Sequence, residues 1–139
     1  MTVNPYESCD QLLDATELVD VRFYEVHGER NDSEGDPKWF IRVLTNQADS
    51  QLQLRFRLQL SGSGATYTAD AAAVYVLKEP VAEVPDDVVR EFAERVGIFA
   101  AFPYLRAAIG NLASQLGLER PVLPMLRQGM VRLSPDDPE

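Results

Sequence analysis

A four-stranded antiparallel sheet followed by two helices packed on one of its faces is the fold this sequence predicts. Three observations predict it. Hydrophobicity recurs with period two from about residue 17 to 78 and with a helical period from about 85 to 117. The cleanest period-two run, Gln51 to Ser61, sets Leu52, Leu54, Phe56, Leu58 and Leu60 against Gln53, Arg55, Arg57 and Gln59. Successive strand side chains point to opposite faces, so the sheet has one apolar and one wet face, the mark of antiparallel pairing. Finally, 139 residues at 45% hydrophobic and 25% charged fit one globular domain.

Taken in order, residues 1–16 are polar and read as a flexible tail, frayed or at most a short helix. The first strand is Leu18 to His27, with Val19, Val21 and Phe23 inward and Asp20, Arg22 and Tyr24 outward. Arg30 to Pro37 is a polar loop, Trp39 to Thr45 the second strand, and Asn46 to Asp49 a turn. After the third strand, Ser61-Gly62-Ser63-Gly64 supplies a hairpin turn. Without a lysine or a following helix it is no phosphate loop. Thr66 to Leu77 returns with Tyr67, Ala69 and Ala71 inward and Asp70 outward. Four strands in a row most simply form a meander.

Pro85-Asp86-Asp87 then starts a helix, because acids complement its exposed amides. Val88, Val89, Phe92, Val96 and Phe99 follow at helical spacing. Gly97 and Pro103 predict a break near Ala101–Phe102 with a restart at Pro103, and Gly117 a stop after Leu116. The folded domain is expected over 17–133, and residues 134–139, Ser-Pro-Asp-Asp-Pro-Glu, as an acidic disordered tail.

Charge and composition exclude several functions. The net charge of −9 speaks against nucleic acid and against an anionic membrane surface. One cysteine, Cys9, and one histidine, His27, leave no disulfide framework within a chain and no Cys/His metal cluster. Cys9 reads as a reduced thiol in the tail and His27 as an edge or loop histidine. Asp86-Asp87 is a helix cap rather than a metal site. No nucleophile or acid–base constellation is spelled out, so no enzyme, metal or cofactor is expected. The N-terminus has no basic-then-apolar leader, and the cytoplasm is the expected location.

From Val96 to Leu118 only Arg106 among 23 residues is ionised. Pro103, Arg106, Asn111, Ser114 and Gln115 sit mid-segment and would be expensive in lipid, so a membrane span is disfavoured. One sheet covers one side of such a helix. The cheapest cover for the other side is a second copy of the chain, so a homo-oligomer follows. Aromatics exceed what one core needs. Trp39, Phe40, Phe99, Phe102 and Tyr104, near the loop and the helix break, are the candidates for an apolar binding surface.

Strands first, then helices with Phe102-Pro103-Tyr104-Leu105-Arg106 at the restart: this pattern resembles the SecB export-chaperone family, over about residues 17–126. Its hydrophobic-Pro-Tyr-x-Arg motif opens a long helix after four antiparallel strands, and Pro121-Val122-Leu123-Pro124 looks like the apolar segment that follows. Ala107 stands where the family usually has glutamate, and Pro124-Met125-Leu126-Arg127 replaces its Pro-hydrophobic-Asn-Phe ending. In this the chain is more similar to the divergent SecB-like chaperones of toxin–antitoxin systems. The resemblance implies an α+β fold assembled as a homotetramer, a dimer of dimers, and ATP-independent holding of unfolded, export-bound or antitoxin polypeptides in a hydrophobic groove. It also implies that Asp20 and Asp70 dock a SecA-type translocase motor, with Tyr24, beside Glu25, in place of another acid. The alternative is an adaptor of the same fold serving one protein partner.

Overall fold

The computed structural model describes residues 8–48, 50–78 and 83–123. The expected tail 134–139 and the end of the expected domain, 124–133, lie outside them. In chain order the elements are α1 (Cys9–Asp14), β1 (Thr16–Arg30), β2 (Lys38–Ala48), β3 (Gln51–Gly62), β4 (Ala65–Leu77), α2 (Asp86–Phe92) and α3 (Ile98–Gln115), with a π-turn, Ala93–Gly97, joining the last two. All strand pairs are antiparallel, and the helical layer lies on one face of the sheet.

The strand order is β1-β4-β3-β2, which corrects the meander. The two tight hairpins, β2–β3 and β3–β4, form as expected. β1, however, pairs with β4 and sits at the opposite edge from β2. The loop between them can do this because its seven residues, 31–37, reach about 23 Å, against about 14 Å for three strand spacings. It is tied beneath the β3–β4 turn: Ser63 N–H donates to Gly35 O at 3.0 Å, Gly64 N–H to Ser33 O at 2.7 Å and Asn31 N–H to Gly64 O at 2.9 Å.

β3 alternates as predicted, and Leu52, Leu54, Phe56, Leu58 and Leu60 form the floor of the core. β1 does not keep a simple alternation. Register shifts between Leu18 and Asp20 and between Phe23 and Glu25 mark two bulges. Opposite the inward Tyr75, Ala73, Ala71, Ala69 and Tyr67 of β4 stand Leu18, Val21, Phe23, Val26 and Gly28. Val19, expected inward, is the bulged residue, and 51% of it is exposed. At Gly28 strand and helix are in tight contact: a Cβ there would sit 3.3 Å from both Leu112 Cβ and Tyr67 Cδ1.

The helix is not broken at Pro103. It runs from Asp86 to Gln115 straight through that proline, and its irregularity lies a turn earlier, where Ile98 N–H donates to Ala93 O. The missing Pro103 N–H costs about 3 kcal/mol in helix propensity. Ile98, Phe102, Leu105 and Ile109, all buried on the sheet, outweigh it. By length and composition this helix could cross a membrane, but 44% of its apolar window is buried inside the fold. Gly117 ends it as predicted, with φ +72°. Its N–H reaches Ser114 O at 3.1 Å, and Leu118 N–H reaches Ala113 O at 2.9 Å. Arg30 Nη1 adds a 2.8 Å hydrogen bond to Leu116 O.

The expected N-terminal tail carries a helix. Ser8 caps α1 through its Oγ, which accepts from Gln11 N–H at 3.2 Å, and Leu12 and Cys9 are buried beside α2. Cys9 is therefore not a mobile thiol: burial, with Glu91 nearby, pushes its pKa up. On the outer sheet face Ala72 and Val74 are covered although no helix of the described residues lies there, because longer side chains of β1 and β3 close over the small residues of β4.

Candidate functional site

α3 lies along the sheet and presents two flanks. Residues three and four apart share a helix side, so Phe99, Phe102, Arg106 and Gly110 form one flank, and Tyr104, Ala107 or Ala108, Asn111 and Gln115 the other.

The first flank faces β2. Trp39 and Phe102 meet with ring centroids 6.3 Å apart, and the Arg106 guanidinium lies 5.1 Å from the Phe102 centroid. Trp39 stands in one inward row across the sheet with Leu60, Tyr67 and Gly28. Beside that row, Pro37, Ser63, Tyr67, Pro121 and Val122, together with the charged Glu119 and Arg120, line a notch of about 210 Å³. Its wall is the segment after α3: Arg120 packs on Gly110, where a Cβ would lie 2.9 Å from Nε, and Leu123 is buried in the core. Val122 is 96% exposed at the rim. The exposed Val122 and two prolines, Pro37 and Pro121, thus border a partly open notch whose floor is the buried Tyr67, with the half-buried Trp39 in the row beside it.

The second flank faces β1. Phe23 and Val26 of the strand and Tyr104, Ala108, Asn111 and Leu112 of the helix line a groove of about 310 Å³. Leu18, Phe23, Val26 and Tyr104 are each 40–51% exposed, although the three strand residues take the inward parity. β1 is a 15-residue edge strand with an apolar inner rim that the helix does not cover.

The five aromatic candidates thus separate. Trp39 and Phe102 come together, with Phe99 on the same helix side; Tyr104 belongs to the opposite flank. Phe40 lies on the outer sheet face, 56% exposed and across from Gln59. Strand alternation allows no other outcome once Trp39 points inward. Phe102 is 3% exposed and is core. The sequence reading missed Phe23, Val26 and Val122; the apolar inward rim of β1 was the signal for the first two.

Asp20 and Asp70 both take the outer face, as their parity predicts. Asp20 is exposed, with Arg22 Nη2 3.5 Å from its Oδ2. Asp70, expected to face solvent, has no exposed surface. Arg55 grips it with two 2.8 Å hydrogen bonds, Nε to Oδ1 and Nη2 to Oδ2, and Arg57 Nη1 adds one of 3.2 Å to Oδ2. Arg57 Nη1 also donates to Glu25 Oε1 at 2.9 Å, and the Arg55 guanidinium lies 4.4 Å from the Tyr24 ring centroid. The Asp70 charge is matched within the sheet and is not presented to a basic partner. His27 lies on β1, exposed, with Nε2 3.8 Å from Glu29 Oε2. Among the described residues no group of three or more His, Cys, Asp or Glu side chains could hold a metal.

No family model matches the chain. A sequence relative does: over 129 residues, 93% of this chain and 88% of the other, it is 43% identical to the SecB-like chaperone SmegB of Mycolicibacterium smegmatis. Among solved structures it is similar to the Mycobacterium tuberculosis Rv1957 SecB-like chaperone, solved in complex with a ChAD peptide from the Rv1956 HigA1 antitoxin. The TM-score is 0.74 at 17% identity, over 86% of this chain and 96% of that one.

Proposed function

The chain belongs to the SecB-like chaperone family, and from that premise we propose that it holds extended apolar segments of client polypeptides along the Trp39 flank of α3. The observation that carries the reading is the notch between Pro37 and Val122, continuous through Tyr67 with the Trp39–Leu60 row. Holding requires no nucleotide and no bond-making. It requires apolar surface that tolerates many sequences, and aromatic and aliphatic groups at a partly open rim provide it. An antitoxin segment is the client class best supported, because a structural relative was solved with an antitoxin peptide. The same reading places the chain in the cytoplasm and assigns it no catalytic step.

Self-association belongs to the other flank. A long edge strand with exposed apolar inward residues is a template for pairing, and a second copy of the same strand is self-complementary in antiparallel order. A homotetramer built from two such pairs then covers the remaining exposed side of α3.

Photo-crosslinking tests the client reading. A benzophenone amino acid at position 122 should capture a neutral apolar peptide, and one at position 40 should not. Equal capture at both would remove the channel. Light scattering tests the assembly: the native protein should scatter at about four times 15.5 kDa, and Phe23→Lys with Val26→Lys should fall below that. A native mass of 15.5 kDa would sink it.

A further inference from the structure

The outer sheet face at β2 carries a feature that neither client holding nor assembly uses. Lys38, Phe40 and Arg42 are successive outward residues of an edge strand, and all three are exposed. The chain carries −9 overall, yet from Pro37 to Thr66 its one acid is Asp49, between β2 and β3. Across the sheet one row of charges runs Arg42, Arg57, Asp70, Glu25. Three of these are bonded to one another. Arg42 is not: among the described residues no carboxylate pairs with it or with Lys38.

Arg42 is also placed at a cost. It stands directly opposite Arg57 in the β2–β3 register, and like charges in that position are destabilising, less so here because Glu25 and Asp70 also pair with Arg57. Charged residues on an edge strand commonly guard it against aggregation. That role explains a charge at 42 but not its sign, since a glutamate would guard equally well and would pair with Arg57. Nor does it explain Phe40, 56% exposed between the two cations. An aromatic anchor in a rim of one charge sign is what a complementary partner recognises.

We propose that Lys38, Phe40 and Arg42 form a docking site for an acidic segment of a protein partner, one carrying an apolar residue that packs on Phe40. Carboxylates of that segment neutralise Arg42 and relieve its opposition to Arg57. The site lies on the face away from the client channel, so one copy can hold a client and an acidic partner together. Its polarity is opposite to an acidic docking face for a basic motor.

The test is fluorescence anisotropy with a fluorescein-labelled peptide of glutamates and aspartates around a central Trp-Leu pair. The native protein should bind it at low salt, more weakly as salt rises, and should not bind the same peptide with lysines in place of the acids. Lys38→Glu with Arg42→Glu should weaken binding by about tenfold or more, and Phe40→Ser by about tenfold. Both variants should still suppress client aggregation, so failure here is distinct from failure of the channel. Arg42→Glu should melt no lower than the native protein, which shows that lost binding is not lost folding. Native affinity in the charge-reversed variant, or equal binding of the lysine peptide, would reduce Lys38 and Arg42 to edge guards. A fall in oligomer mass in that variant would assign the face to a second copy and overturn the proposal.

Discussion

The two edges of this sheet solve the same problem in opposite ways. Among the described residues both β1 and β2 have one unpaired side, and an unpaired strand side invites another chain. β1 is long, bulged twice and apolar along its inward rim, with Glu17, Asp20, Glu25 and Glu29 on its outer face. β2 is shorter and regular, keeps its inward Trp39, Ile41 and Val43 partly covered, and is cationic outside. The contrast follows from the helix. α3 crosses β4 and packs tightly against β1 at Gly28, yet it leaves Phe23 and Val26 exposed. One edge is thereby left apolar on its inner rim and the other cationic on its outer face.

Breaking the tie that joins the β1 edge to the two inner strands should have the largest effect. Asp70 is the centre of the row that joins Glu25 to Arg57 and Arg55. Breaking a buried ion pair costs about 3–5 kcal/mol; since both arginines reach solvent, Asp70→Ala should cost about 2–3 kcal/mol, read by urea denaturation. A loss under 1 kcal/mol would mean that the arginines are already satisfied by water. Next comes the β1 side. Gly28→Val should cost about 1–3 kcal/mol, since its Cβ would press on Leu112 and Tyr67 and force helix and strand apart. Scattered mass should fall with it if the β1 rim is the assembly surface. At the β2 edge the change has the other sign: Arg42→Glu should raise stability by up to about 1 kcal/mol through a new pair with Arg57. Smallest is Phe40→Ser, within about 0.5 kcal/mol as for an exposed residue away from special features. Trp39→Ser, by contrast, should unfold in proportion to the packing it loses on Phe102.

What the sequence revealed, and what it hid, divides along physical lines. β3 was legible because alternation is a property of one strand and its residues are unambiguous. The glycine turn and the Gly117 stop were legible because positive φ needs a particular residue. Strand order was not, since hydropathy says which face a strand buries and never which neighbour it has. Neither bulge in β1 is marked: Val19 and Tyr24 are good strand residues, and an extra residue leaves no composition signal. Asp70 looked like surface because its cover consists of two arginines from the adjacent strand. Pro103 looked like a break because propensity is local, whereas the burial that overrides it comes from the sheet. For the site, residue type found the aromatics but not which side of the sheet or helix each one serves.

The π-turn at Ala93–Gly97 has a consequence for how this helix can vary in length. It holds one residue more than an α-helical turn would, and the Phe92 and Phe102 sides both stay on the sheet across it. Elsewhere in the helix, gaining or losing a residue turns everything beyond it by about 100° and carries one end's apolar side into water. Here a one-residue deletion converts a wide turn into an ordinary one and leaves the flanking sides in phase, so no face is lost. This turn is thus the joint at which a natural or engineered change of helix length is best absorbed.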